Sequence, residues 1–241
     1  MATDACNTDN ILSVINRPTI AVSPCVVSAD HVLTEAGFEH RDLVAGSYVN
    51  VYPDTQIRFG LGHATELYAY APVYVENHAS PFAGNTTFAV GGKHVFLKKD
   101  PFVMTLDGVV YPSGGSVYYG FQTVSARING IANYSINPWS ITLILSVMSL
   151  SQPYNLPNQT AAAFGPDLVV SYTVNPKMYV YGEIYGQTKV SPNTGSGFNF
   201  DGGLAYLVRN NITIDIEAST RMTGLLGQFS TYIGFGGAIQ L

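Results

Sequence analysis

The sequence is poor in charge. Lys, Arg, Asp and Glu make up only 11 % of its 241 residues, less than half the roughly 25 % usual for a soluble domain. A surface facing bulk water needs more charge than this. The chain also lacks an apolar run near the ~18 residues that a membrane-spanning helix requires. Its longest apolar patch, "SITLILSVMSL" (140–150), is interrupted by Ser or Thr at alternate places. Basic tracts are missing and the net charge is −5, which argues against nucleic acid as a partner. The start, "MATDACNTDN", has neither the basic nor the apolar part of an export signal, so for an exported protein the signal is expected to have been removed. Cysteine is scarce. Cys6 and Cys25 lack CxxC spacing and no histidine cluster accompanies them, so neither a metal nor a cofactor is expected. They fit a disulfide in an oxidising compartment, which would stabilise the fold by roughly 3 kcal/mol through chain entropy. Two unpaired thiols are the alternative.

What is abundant is glycine (24), tyrosine (16) and alternation. In "NITIDIEASTRM" (211–222), Ile212, Ile214, Ile216, Ala218 and Met222 share one parity. Thr213, Asp215, Glu217, Ser219 and Arg221 share the other. Such a strand has one apolar and one charged face. The pattern recurs and predicts twelve strands, at 31–41, 54–62, 65–76, 86–98, 101–112, 119–136, 139–150, 163–175, 178–190, 197–209, 211–222 and 229–241. No segment keeps a 3.6-residue period, so almost no helix is expected.

The connections choose between a soluble sandwich and a membrane barrel. "GHA", "KKDP", "INPW", "NPK" and "RNN" are tight, with turn-forming residues. Between them lie the longer "RDLVAGSYVNVYPD", "ENHASPFAGNTT", "PSGGSVYYG", "SQPYNLPNQTAAAFGP", "TKVSPNTGSG" and "TGLLGQF". Short and long alternate along the chain. That is the pattern of an all-β, antiparallel up-and-down transmembrane barrel with periplasmic turns and external loops. Its apolar parity, for example Phe102, Met104, Leu106 and Val110, faces lipid. Trp139, Tyr134 and Phe102 sit beside short turns, where an aromatic girdle belongs.

The other parity collects charge and tyrosine, and defines a candidate lumen lining: Arg58, Glu66, Tyr68, Lys93, Asp107, Arg127, Glu183, Asp201, Arg209, Asp215, Glu217 and Arg221. Arg58 is expected near Glu66, and Arg209 near Asp215 and Glu217. Such residues either pair to stiffen the interior or line a solute path. Acids prevail among them, which implies a mild cation bias if the pore is open. Residues 1–30 differ. "NILSVINRPTIAVSPCVV" (10–27) is apolar but irregular, and is expected as a periplasmic cap or as a plug ahead of a barrel over 31–241.

Several stretches resemble outer-membrane transporters grouped under the meta-pathway of phenol degradation. "IRFGLGHATELYAYAPVY" (57–74) resembles that family's Arg–aromatic–Gly–apolar turn followed by Glu–Leu. "FAVGGKHVFL" (88–97) resembles its Gly-x-Lys-aromatic strand, with His94 where an aromatic is usual. "YVYGEIYG" (179–186) and "ITIDIEAS" (212–219) are similar to its later strands. The resemblance implies a bacterial outer-membrane barrel with a transport role. One departure is the end, "GAIQL", where such barrels usually carry an aromatic; Leu241 is apolar and on the outward parity.

The expected function is passive passage of a small solute through a polar, tyrosine-rich lumen. The expected partners are outer-membrane lipid and that solute, and a monomer is favoured. A closed structural or surface-interacting barrel is the alternative. An outer-membrane hydrolase comes third. None of His31, His40, His63, His78 and His94 has the spacing to a nucleophile or acid that hydrolysis needs, so no enzyme is expected.

Overall fold

A computed structural model describes Cys6 and residues 10–241. Its strands are β1 (Val32–Leu43), β2 (Tyr48–Gly62), β3 (Thr65–Tyr70), β4 (Tyr74–Asn77), β5 (Ala83–Asn85), β6 (Ala89–Lys99) and β7 (Phe102–Tyr111). Then follow β8 (Ser125–Ile136), β9 (Trp139–Ser151), β10 (Thr160–Asn175), β11 (Met178–Gln187), β12 (Gly197–Arg209), β13 (Ile212–Thr223) and β14 (Phe229–Gln240). Every pairing is antiparallel, and β1 bonds both β2 and β14, so the sheet closes on itself. Twelve strands form the ring and β4 and β5 are extra. A closed ring leaves no edge of unpaired N–H and C=O groups, which a bilayer would not tolerate.

Local chemistry explains the short rim. His63 and Ala64 join β2 to β3 with φ of 51° and 57°, the left-handed geometry that suits the strand twist in a two-residue hairpin. Asn175 turns the chain between β10 and β11 by accepting the Lys177 N–H on its own side chain at 2.8 Å, an Asx turn.

Three strand boundaries differ from the sequence expectation. The connection expected at 41–54 is short: β1 and β2 stay paired out to Asp42 and Tyr48. An irregularity between Gly37 and Glu39 shifts the register there, which breaks the visible alternation without ending the strands. The strand expected at 119–136 starts at Ser125. Gly114 and Gly115 take positive φ and turn the chain so that Gly114 bridges Phe121. The strand expected at 65–76 is interrupted and gives β3 and β4, the one expected at 86–98 is the single β6, and β4 forms an outer hairpin with β5, which lies in the stretch expected as a loop.

The two faces sort as the alternation implies. Leu106, Ile128, Leu143, Val147, Ile214 and Phe235 are exposed on the outside, where lipid would cover them. Phe102 meets Tyr134 and Trp139 meets Tyr172, both with ring centroids 4.8 Å apart, beside the short-turn rim. Inward residues are buried although many are charged. Some are covered by their neighbours on the wall and others by the N-terminal segment.

Candidate functional site

Residues 10–28 lie inside the ring, toward the short-turn rim. Asn10 starts a single 3-10 turn, Ile11–Ser13, its side chain accepting the Leu12 N–H at 3.1 Å. Ile11, Val14, Ile15 and Val27 pack on inward Leu33, Ala205, Leu207 and Ala238. Cys6 and Cys25 form a disulfide with Cα atoms 5.4 Å apart, packed against Val95 and Val103.

Beyond that turn the segment is irregular, so its backbone groups have few partners of their own, and inside a closed lumen each must find one. The lumen carboxylates supply them. Glu35 accepts the N–H groups of Asn16 (2.9 Å) and Arg17 (2.8 Å). Glu183 accepts those of Ile20 (3.0 Å) and Ala21 (2.8 Å), and Glu66 that of Val27 (2.7 Å). Lumen cations serve the carbonyls. Arg58 donates to Val14 O at 2.6 Å and Cys25 O at 3.2 Å, and Lys93 donates to Ser23 O at 2.9 Å.

Four of these five side chains also pair with one another. Arg58 lies 2.9 Å from Glu35 and 3.0 Å from Glu66, and Lys93 lies 3.2 Å from Glu66. All are almost fully buried. A buried charge is tolerated only when paired and hydrogen-bonded, and here each meets an opposite charge.

Arg17 is the other anchor. Its guanidinium reaches Asp215 at 3.1 Å and Glu217 at 3.3 Å. Burial alone would pull its pKa down; attraction to Asp215, Glu217 and Asp54 outweighs this and raises it. The side chain lies in a slot between β1 and β14. Gly37 and Gly236 face each other there, and a Cβ on either would overlap the guanidinium.

The expected lumen residues divide into three sets. Arg58, Glu66 and Lys93 come together as one cluster. Higher up, Asp107 accepts from Tyr68 and from Asn129, both at 2.6 Å. Glu183 stands opposite Asp201 across β11 and β12, and Tyr232 donates to Glu217 (3.2 Å) and Asp201 (3.4 Å). Arg127 is half-buried. Arg209 and Arg221 are exposed at opposite rims, and Arg221 bonds Gly224 O. The cation at Asp215 and Glu217 is therefore Arg17, not Arg209. Sequence reasoning missed Arg17 and Glu35 as anchors. A signal was present, since Arg17 is the only charged residue between positions 10 and 29.

Two cavities flank the segment. A space of about 130 Å³ is lined by charged Arg17, Glu35, Glu39, Asp54 and Glu217. A larger one of about 670 Å³ opens beside β8–β11 near the short turns, and none of the described residues that line it is charged.

An antiparallel barrel with short turns on one rim, an apolar outer belt and a polar interior is an outer-membrane β-barrel. The family model described as "Putative MetA-pathway of phenol degradation" matches residues 16–223, and the chain belongs to that family. Its fold is similar to that of an outer membrane channel from Pseudomonas putida F1, at TM-score 0.71 and 7 % identity, covering 92 % of this chain and 100 % of that one. It is also similar to the KdgM porin in complex with disordered oligogalacturonate (TM-score 0.60, 11 % identity, 86 % and 98 % covered). The NanC porin aligns at TM-score 0.60 and 10 % identity, with 87 % and 100 % covered. No curated protein matches significantly.

Proposed function

We propose that this chain is a channel or transporter of the bacterial outer membrane, passing small solutes passively, with the N-terminal segment setting how far the path is open. The observation that carries this reading is the cavity of about 670 Å³ left beside the segment. That space opens at the short-turn rim among Asn137, Pro138, Asn175 and Pro176, and its size falls within the ~300–1,000 Å³ range of small-molecule sites. The tyrosines Tyr68, Tyr181, Tyr185 and Tyr232, buried on the inner wall, add hydroxyls without charge. Acids prevail over bases among the buried inner residues, which disfavours polyanions.

The second reading, a closed structural barrel, is favoured by the Arg58–Glu35–Glu66–Lys93 cluster, which ties the segment to the wall. Conductance across planar bilayers, with the whole chain and with a chain lacking residues 1–28, separates the two. Small steps from the whole chain and much larger ones from the shortened chain are expected. Silence from both, with the barrel correctly folded, would leave only the closed barrel.

A further inference from the structure

The segment is held unevenly around the ring. Its polar partners lie on β1, β2, β3, β6, β7, β11 and β13. Toward β8, β9 and β10 the contact is apolar. Ala21 and Val22 pack there on Ile131, Ile144 and Val169.

The register of those strands makes that contact one rung of a ladder. Asn129 faces Ser146 on the outer side, and Ser146 donates to Asn129 at 2.6 Å. The next inward rung is Ile131 opposite Ile144, which faces Asp167 on β10; Val169, one rung lower opposite Thr142, packs on the two isoleucines. The following rungs are polar again: Asn133 opposite Thr142, then Ser135 opposite Ser140, which also faces Ser171. Asn133 donates to Thr142 Oγ1 at 2.9 Å and to Ser140 Oγ at 2.7 Å. These lower rungs form the wall of the uncharged cavity.

A polar wall interrupted by the apolar Ile131, Ile144 and Val169, facing Ala21 and Val22 of a bend held to the wall through the Ala21 N–H on Glu183, has the form of a constriction that closes by excluding water. Most carboxylates of the inner wall are engaged, and the one on this side is Asp167, opposite Ile144, whose Oδ1 has no hydrogen-bond partner among the described residues. Glu35, Glu66 and Glu183 are engaged by the segment's N–H groups, and Asp215 and Glu217 by Arg17.

We propose that solute passes along the seam between residues 21–22 and β8–β10, with Ile131, Ile144 and Val169 as the constriction and the Asn133–Thr142–Ser140 wall as a site for uncharged, hydrogen-bonding solutes. This rests on the channel reading. It differs from ejection of the whole segment, because only the bend around Ala21 and Val22 moves, giving up the bonds of Ile20 and Ala21 to Glu183, while Glu35, Arg58 and Arg17 keep their partners.

The test uses the full chain in liposomes, with arabinose, lysine hydrochloride and sodium glutamate as probes and correct folding checked by heat-dependent gel mobility. In the full chain, arabinose is expected to enter faster than either ion. Ala21→Ser with Val22→Ser wets the rung and raises arabinose entry severalfold. Ile144→Trp lowers it below the level of the unaltered chain. Ser171→Asp shifts the preference toward lysine. If neither rung variant changes entry, while Glu35→Gln with Arg17→Gln raises it, solute travels by displacement of the segment and the seam is not the path. If entry is ion-first or insensitive to Ser171→Asp, the uncharged site is refuted. If no variant conducts, and the chain lacking residues 1–28 folds but does not conduct either, the channel reading falls with it.

Discussion

Glu66 and Leu67 are adjacent on β3 and live under different rules. Leu67 points outward into a belt where almost any apolar side chain serves, because lipid tails contact it without fixed geometry. Glu66 points inward and meets three specific partners, Arg58, Lys93 and the Val27 N–H. The outer wall is specified by class of residue and the inner wall by individual atoms. A substitution's cost should therefore depend on which parity it falls on, even between neighbours.

The largest contrast should come from that pair. Glu66→Ala leaves Arg58 and Lys93 buried without their shared anion and should destabilise the barrel by about 3–5 kcal/mol. Leu67→Ala should cost under about 1 kcal/mol, since lipid fills the space it leaves. Urea unfolding in lipid reads both, and equal costs would break the comparison. On β13 the sign of the contrast reverses for charge. Ile214 is 52 % exposed and Asp215 6 %. Ile214→Arg should cost about 2–4 kcal/mol at mid-depth and reduce the assembled fraction. Asp215→Asn should assemble normally and only loosen Arg17.

Replacing both Cys6 and Cys25 by Ser tests the segment itself. A loss of roughly 3 kcal/mol is expected from chain entropy, measurable as a lower unfolding midpoint that reduction of the unaltered protein reproduces. The smallest contrast is on β14. Gly236→Ala intrudes on Arg17, and should cost about 1–3 kcal/mol by overpacking. Phe235→Leu, one residue away and facing outward, should cost under about 1 kcal/mol. Protease sensitivity of the segment should rise only for the glycine change.

The two parities also differed in how well the sequence revealed them. Period-two alternation in β13 put Ile214 and Asp215 on opposite faces, and the alternation of short and long connections then made Ile214 outward and Asp215 inward, because lipid imposes one rule on every outward position. Turn composition revealed the rims for the same reason. Boundaries failed where the rule lapses, at the irregularity near Gly37 and in the glycine-bent loop before Ser125. The partners of the inner wall were legible only when close in sequence, as with Arg58 and Glu66 across a hairpin. Arg17 with Asp215 was not, because a segment without periodicity carries no record of the strand it meets. The family resemblance, carried by 57–74 and 88–97, agreed with the match over residues 16–223.

The partners of the inserted segment have a temporal meaning as well as a spatial one. Glu35, Arg58, Glu66 and Lys93 sit on β1, β2, β3 and β6, the four ring strands nearest to the segment along the chain. Contacts between residues near in sequence cost little loop entropy to form. The segment can thus settle on an open, early sheet, and Asp215 and Glu217 arrive with β13, just before β14 meets β1. Docking in that order would spare the segment from threading a finished pore.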